Sequence, residues 1–172
     1  IVEPTAERNY YTLVTSGMGA HRMNVPKELA EYKLERAEIV VYLPADWNIS
    51  DHEEKNYWPL RWLKILARLP LEEDSWLGWG HSVPNGKPFA ENTQLSSVLL
   101  INPENVEEGA AVCQLPNGEE VNFYQMIPLY EEEVNFKIQN GAETLLGKMG
   151  EISAVVDIHR LNVCEGFGRP KE

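Results

Sequence analysis

Apolar positions recur most regularly across residues 57–84, YWPLRWLKILARLPLEEDSWLGWGHSVP, a stretch that holds four of the chain's five tryptophans. Trp62, Leu63, Leu66 and Leu69 fall on one side of a helical wheel, and Arg61, Lys64 and Arg68 fall on the other. Pro59 suits the first turn, where a missing N–H does no harm, and Pro70 closes the segment. The pattern predicts an amphipathic helix that must lie on a sheet or on another helix. After it, Trp76, Gly78 and Gly80 alternate with Leu77, Trp79 and His81, which predicts a strand over 75–81. Its glycines mark a bulge or a close backbone approach.

The remaining elements are expected to pack around this unit. Residues 10–16, YYTLVTS, read as a strand running into the turn Gly17-Met18-Gly19. Pro26 followed by KELAEYKLER predicts a short helix. Residues 37–43, AEIVVYL, form a strand stopped by Pro44, with Trp47 in the turn beyond. Residues 95–101 are a core strand, and 110–115 and 120–127 flank Pro116-Asn117-Gly118 as a hairpin. Pro128 opens a helix with Glu131, Glu132 and Glu133 in its first turns, where the helix dipole favours carboxylates, and Gly141 stops it. A second short helix carries Ala142, Leu145, Leu146 and Met149 on one face. Residues 152–158 read as a last strand, and the tail from Glu165 is expected to fray. This order predicts an α+β fold, a mixed, mostly antiparallel β-sheet packed with a few helices. It forms a single domain over 1–163, with a C-terminal tail over 164–172. The opening IVEP reads as the end of a strand whose beginning is missing, so the N-terminus is expected to be truncated. IVEPTAER is not a signal peptide, for it lacks a basic start and an apolar stretch.

Composition narrows the function classes. With 43% hydrophobic and 24% charged residues in 172, the chain is an ordinary globular domain, able to bury roughly 70% of its unfolded surface. No apolar run approaches the roughly 20 residues that span a bilayer, so no membrane partner is expected. Cys113 and Cys164 make no disulfide framework and read as reduced thiols of a cytoplasmic protein. The net charge of −12 is uneven. Between Lys87 and Lys137 there is no Lys or Arg, while Glu91, Glu104, Glu107, Glu108, Glu119, Glu120 and Glu131 to Glu133 fall there. Such a block either repels nucleic acid and anionic lipid while attracting a basic partner, or is a solvated face.

Catalytic motifs are missing. There is no Gly-rich phosphate loop and no Gly-x-Ser-x-Gly elbow. The histidines, His21, His52, His81 and His159, lie far apart and outside any HExxH or Cys-x-x-Cys context, so neither a metal nor a cofactor is expected. Cys164 follows His159 at an odd spacing, which on a strand points the two side chains to opposite faces and favours a buried structural thiol. An enzymatic or small-molecule reading would instead gather Trp79, His81, Asp157, His159 and Cys164 around a cleft. Asp157, His159 and Arg160 could equally make an ion pair with a neighbouring segment, and His81 could be a packed core ring. Trp62 belongs to the core stripe, whereas Trp47 in its turn and Trp58 beside a polar lead-in are candidates for a contact surface. The binding candidates are Trp47, Trp58, Trp79, His81, Glu131 and Glu132.

Five blocks then come in order: TLVTSGMG at 12–19, AEIVVYLPADW at 37–47, WPLRWLKILARLP at 58–70, WLGWGHSVPN at 76–85 and FYQMIPLYEEE at 123–133. Together they resemble the bacterial members of the suppressor-of-fused domain family, over nearly the whole chain to about Val163. The resemblance implies an α+β domain that binds other proteins and has no known catalytic activity; it assigns no site residues. It also implies two kinds of partner. The animal member clamps an extended peptide of a zinc-finger transcription factor by β-strand addition, between this kind of domain and a second one. Bacterial members are often encoded beside secreted toxins, as immunity proteins would be. The expectation is therefore a non-enzymatic interaction domain, an immunity or antitoxin protein for a basic toxin, acting as a monomer or weak homodimer. A further reading is an interaction domain whose sheet edge accepts an extended peptide.

Overall fold

The structure, a computed structural model, describes residues 1–104, 106–107, 109–150 and 154–168. In chain order the elements are β1 (Tyr10–Val14), β2 (Ala37–Pro44), α1 (Glu54–Glu72), β3 (Ser82–Pro84), β4 (Ser97–Ile101), β5 (Val112–Gln114), β6 (Glu120–Leu129), α2 (Glu131–Asn140) and α3 (Ala142–Met149). Short 3₁₀ turns at Met18–Ala20 and Lys27–Tyr32 link β1 to β2. The sheet runs β1-β2-β6-β4-β3, with β5 also paired to β6. Only the β2–β6 pair is parallel, with Ala37 opposite Asn122; the other named pairs are antiparallel. The mixed sheet with a few helices is the one the sequence predicts.

Period-two alternation sorts the side chains between two faces. Ile39, Val41 and Leu43 of β2, Val98 and Leu100 of β4, and Tyr124 and Met126 of β6 pack with Trp58, Trp62, Leu63 and Leu66 of α1. Leu99, Ile101 and Leu129 point the other way, onto Val134 of α2 and Leu145 and Met149 of α3. Helices thus cover both faces. The Gly17-Met18-Gly19 turn is tied to β2 by Glu38, whose carboxylate accepts the N–H groups of Gly17 (2.9 Å) and Gly19 (3.0 Å) and the Thr15 hydroxyl. No helix among the described residues is long and apolar enough to cross a membrane.

Several expectations change. Helix α1 begins at Glu54, ahead of Pro59, and continues through Pro70 to Glu72. Pro59 offers no N–H to the carbonyl of Lys55, and Asn92 Nδ2 donates to that carbonyl instead, at 3.4 Å. Residues 75–81 are not a strand; pairing begins at Ser82. The Trp/Gly alternation there serves a tight wrap, since a Cβ on Gly78 would sit 2.6 Å from the Trp76 ring. Pro128 does not open a helix but lies inside β6, opposite Val98. The antiparallel alternation points its missing N–H to the side that β2 has already left, so no ladder bond is lost. Of the expected last strand, Ile152 and Ser153 lie outside the described residues, and within 154–158 only Val155 forms a bridge, parallel, to Tyr42. Where β2 and β6 part, the buried Gln125 accepts the Glu104 N–H (2.8 Å) and donates to the Ala154 carbonyl (2.9 Å). Phe167, expected in a frayed tail, packs edge-on against Phe136 at 5.1 Å.

Candidate protein-binding edge

The path of the sheet ends in β1 and β3, and β5, which pairs β6 alone, is a third outer strand. On β1 the free side of Thr12 is taken by Val2, which exchanges both backbone hydrogen bonds with it, at 2.8 and 3.0 Å. On β3, the Leu100 N–H donates to the His81 carbonyl (2.9 Å) and the Asn85 N–H to the Ser96 carbonyl (2.8 Å). Antiparallel alternation then turns the N–H and C=O of Ser82, and the C=O of Pro84, away from β4. Among the described residues nothing bonds them. Pro84 has no N–H, which keeps this edge short.

The Ser82 side chain lies on the face covered by α2 and α3, where Lys137 Nζ reaches its Oγ at 3.2 Å. Burial holds the Lys137 pKa below its ordinary value. At the Pro84 end, a groove of about 800 Å³ opens between the loop after β3, the first turns of α2 and residues 160–165. Ile138, 69% exposed, and Leu161, 85% exposed, are apolar residues on its rim. Glu131, Glu132 and Glu165 line it together with Lys87. Glu132 accepts a hydrogen bond from Asn162 Nδ2 at 3.0 Å.

One wall of the groove is stapled in place. Arg160 forms a bidentate pair with Glu133, at 2.6 and 2.5 Å, and donates to the carbonyls of Pro128 (2.9 Å) and Leu161 (3.0 Å). Glu133 also accepts the N–H groups of Tyr130 (3.0 Å) and Val163 (3.1 Å). Of the choices open for Asp157, His159 and Arg160, Arg160 thus makes the ion pair.

The predicted binding residues divide. Trp79, 40% exposed, sits just ahead of β3, and Glu131 and Glu132 line the groove at its far end. His81 is a packed ring, edge-on to Trp76 at 4.3 Å, and desolvation lowers its pKa. Trp58 is fully buried, stacked on Phe89 at 4.6 Å, and can touch no partner. Its polar lead-in is itself the first turn of α1, which puts Trp58 on the core stripe. Trp47 is half-buried, edge-on to Trp58 at 6.2 Å, and its indole N–H donates to the Asn56 carbonyl at 2.9 Å. The acidic block is partly neutralised by distant cations: Glu119 pairs with Arg22 and Arg36, Glu120 with Lys33, and Glu133 with Arg160. Ser82, Lys137, Ile138 and Leu161 are the residues that sequence reasoning missed. Only Lys137 carried a signal, as the one cation on α2.

Asp157 accepts the backbone N–H of His159 at 2.8 Å, His159 is exposed, and Cys164 is buried, which raises its pKa. No hydrogen bond joins the side chains of His81, Asp157, His159 and Cys164. Among the described residues no group of three or more His, Cys, Asp or Glu side chains gathers to hold a metal.

An uncharacterised protein of Ureaplasma parvum is 28% identical over 155 residues, 90% of this chain and 74% of that relative. A suppressor-of-fused homologue from Neisseria gonorrhoeae has the same fold, with a TM-score of 0.64 at 20% identity over 93% of this chain and 74% of its own. The solved Sufu–Fu complex gives a TM-score of 0.65 at 16% identity, over 95% of this chain and 75% of that one. The family model described as suppressor of fused protein (SUFU) matches residues 1–161, and the chain belongs to that family of protein-interaction domains.

Proposed function

We propose that this domain is a non-enzymatic binding module that takes an extended segment of a partner polypeptide along the outer edge of β3. The observation that carries this reading is the outward-facing N–H and C=O of Ser82, flanked by exposed Trp79 and by a groove rimmed with Ile138 and Leu161. Strand addition gains main-chain hydrogen bonds that a sheet edge offers to any sequence, and neighbouring pockets then select side chains. A protein of the same fold was solved as the Sufu–Fu complex, which supports a polypeptide partner.

The role we propose for that binding is immunity in the cytoplasm, by a monomer or weak homodimer that neutralises a basic toxin. A net charge of −12 supports it, because a negative field speeds the approach of a cationic partner. The test expresses the neighbouring gene alone and together with this domain. Growth arrest relieved by co-expression supports the toxin role; no arrest, or arrest that persists, overturns it. Replacing Ser82→Pro in the pair removes the outward N–H. Unchanged affinity in that variant would overturn the strand-addition mode.

A further inference from the structure

Among the described residues Lys137 is an ammonium without a counter-charge. Arg36, Arg61 and Arg160, also partly covered, each end on a carboxylate. Lys137 meets only the neutral Ser82 hydroxyl, and no carboxylate lies within ion-pair distance among the described residues. A cation drawn partly out of water and given one neutral partner retains unused donors. Those donors sit at the edge where Ser82 presents its free N–H and C=O.

The register says which side chains of an added strand would meet them. Ser82 lies opposite Leu99 and Pro84 opposite Ser97, both on the face that α2 and α3 cover. An incoming strand sends alternate side chains to that face, and the one beside Ser82 arrives next to Lys137. Past Pro84 the sign reverses, because Glu131, Glu132 and Glu165 outnumber Lys87 in the groove, whose other cation, Arg160, is paired with Glu133.

Resting on the β3-edge reading, we propose that Lys137 is a specificity-determining anchor. It selects an extended partner segment bearing an Asp or Glu side chain beside Ser82, in a stretch with no second acidic residue at the Pro84 end. The acidic protein as a whole repels acidic peptides, so one local cation makes the position of the carboxylate decisive.

Three soluble strand-forming peptides, identical except for a central Glu, Gln or Lys, test this by calorimetry and by NMR of the Ser82 amide. The Glu peptide should bind about tenfold more tightly than the Gln peptide, the scale of one charge-assisted contact. In Lys137→Met, with the fold checked by circular dichroism, the Glu and Gln peptides should bind alike. If wild-type protein binds Glu and Gln peptides equally while the Ser82 amide shifts, the anchor is wrong and the edge reading stands. If no peptide binds or moves that amide, the edge reading fails and the anchor with it. A Glu preference that persists in Lys137→Met also refutes the assignment.

Discussion

Arg160→Met isolates the pair that holds residues 160–165 against α2. Glu133 is fully buried and the Arg160 side chain is 8% exposed, so water screens this pair little. The substitution keeps the aliphatic stem but removes both contacts to Glu133 and both donations to the Pro128 and Leu161 carbonyls. Glu133 is then left with the N–H groups of Tyr130 and Val163 alone. An uncompensated buried charge costs about 3–5 kcal/mol, against about 0–1 kcal/mol for an exposed pair. At about 2–4 °C per kcal/mol for a chain of this size, Tm should fall by about 10 °C. Urea unfolding followed by circular dichroism gives the free energy, with an unchanged m-value as the control. Adding Glu133→Gln removes the stranded charge, so the double variant should lose less than the two single losses combined. A loss below about 1 kcal/mol for Arg160→Met, or strict additivity, would refute the reasoning.

Other expectations test other parts of the fold. Phe89→Ala removes the ring stacked on Trp58 and edge-on to Trp62, and should cost about 3–5 kcal/mol with loss of near-ultraviolet dichroism. An unaltered spectrum would contradict that packing. In Gly19→Ala the new Cβ would sit 2.8 Å from Val121 Cγ1, so destabilisation of about 1–3 kcal/mol is expected, partly reversed by Val121→Ala. The same loss with and without Val121→Ala would rule the clash out. A thiol reagent should label exposed Cys113 at once and buried Cys164 only after unfolding; two fast thiols would speak against the second core. Desolvation puts the pKa of His81 below its ordinary 6.5 in the folded state. Below that value the unfolded chain takes up a proton that the folded one resists, so stability falls with pH. His81→Gln should flatten the drop between about pH 7.5 and about pH 5.5; equal slopes would show that His81 does not contribute.

Much of the fold is legible because it is local. YYTLV, AEIVVYL and the hairpin around Asn117-Gly118 carry their period and turn chemistry within a few residues. Elsewhere the structure departs from the local pattern. Trp76 to His81 alternates like a strand, yet the alternation lets an indole ring close over Gly78. Pro59 and Pro128 look like boundaries, yet each sits inside an element because its missing N–H has no ladder partner to lose, or because Asn92 serves the orphaned carbonyl. The polar residues ahead of Trp58 read as a lead-in, yet they form the first turn of α1 and carry Trp58 into the core.

By itself the sequence determined the α+β class, the mixed sheet, most elements and, through five ordered blocks, the family. Short-range periodicity and turn residues record these directly. Which edge stays open, which tryptophan is covered and which carboxylates are free were decided by the tertiary structure. Those properties depend on pairs far apart in the chain: Arg160 with Glu133, Lys33 with Glu120, Val2 with Thr12 and Lys137 with Ser82. No local pattern encodes such a meeting, because it follows from how the sheet brings distant segments side by side.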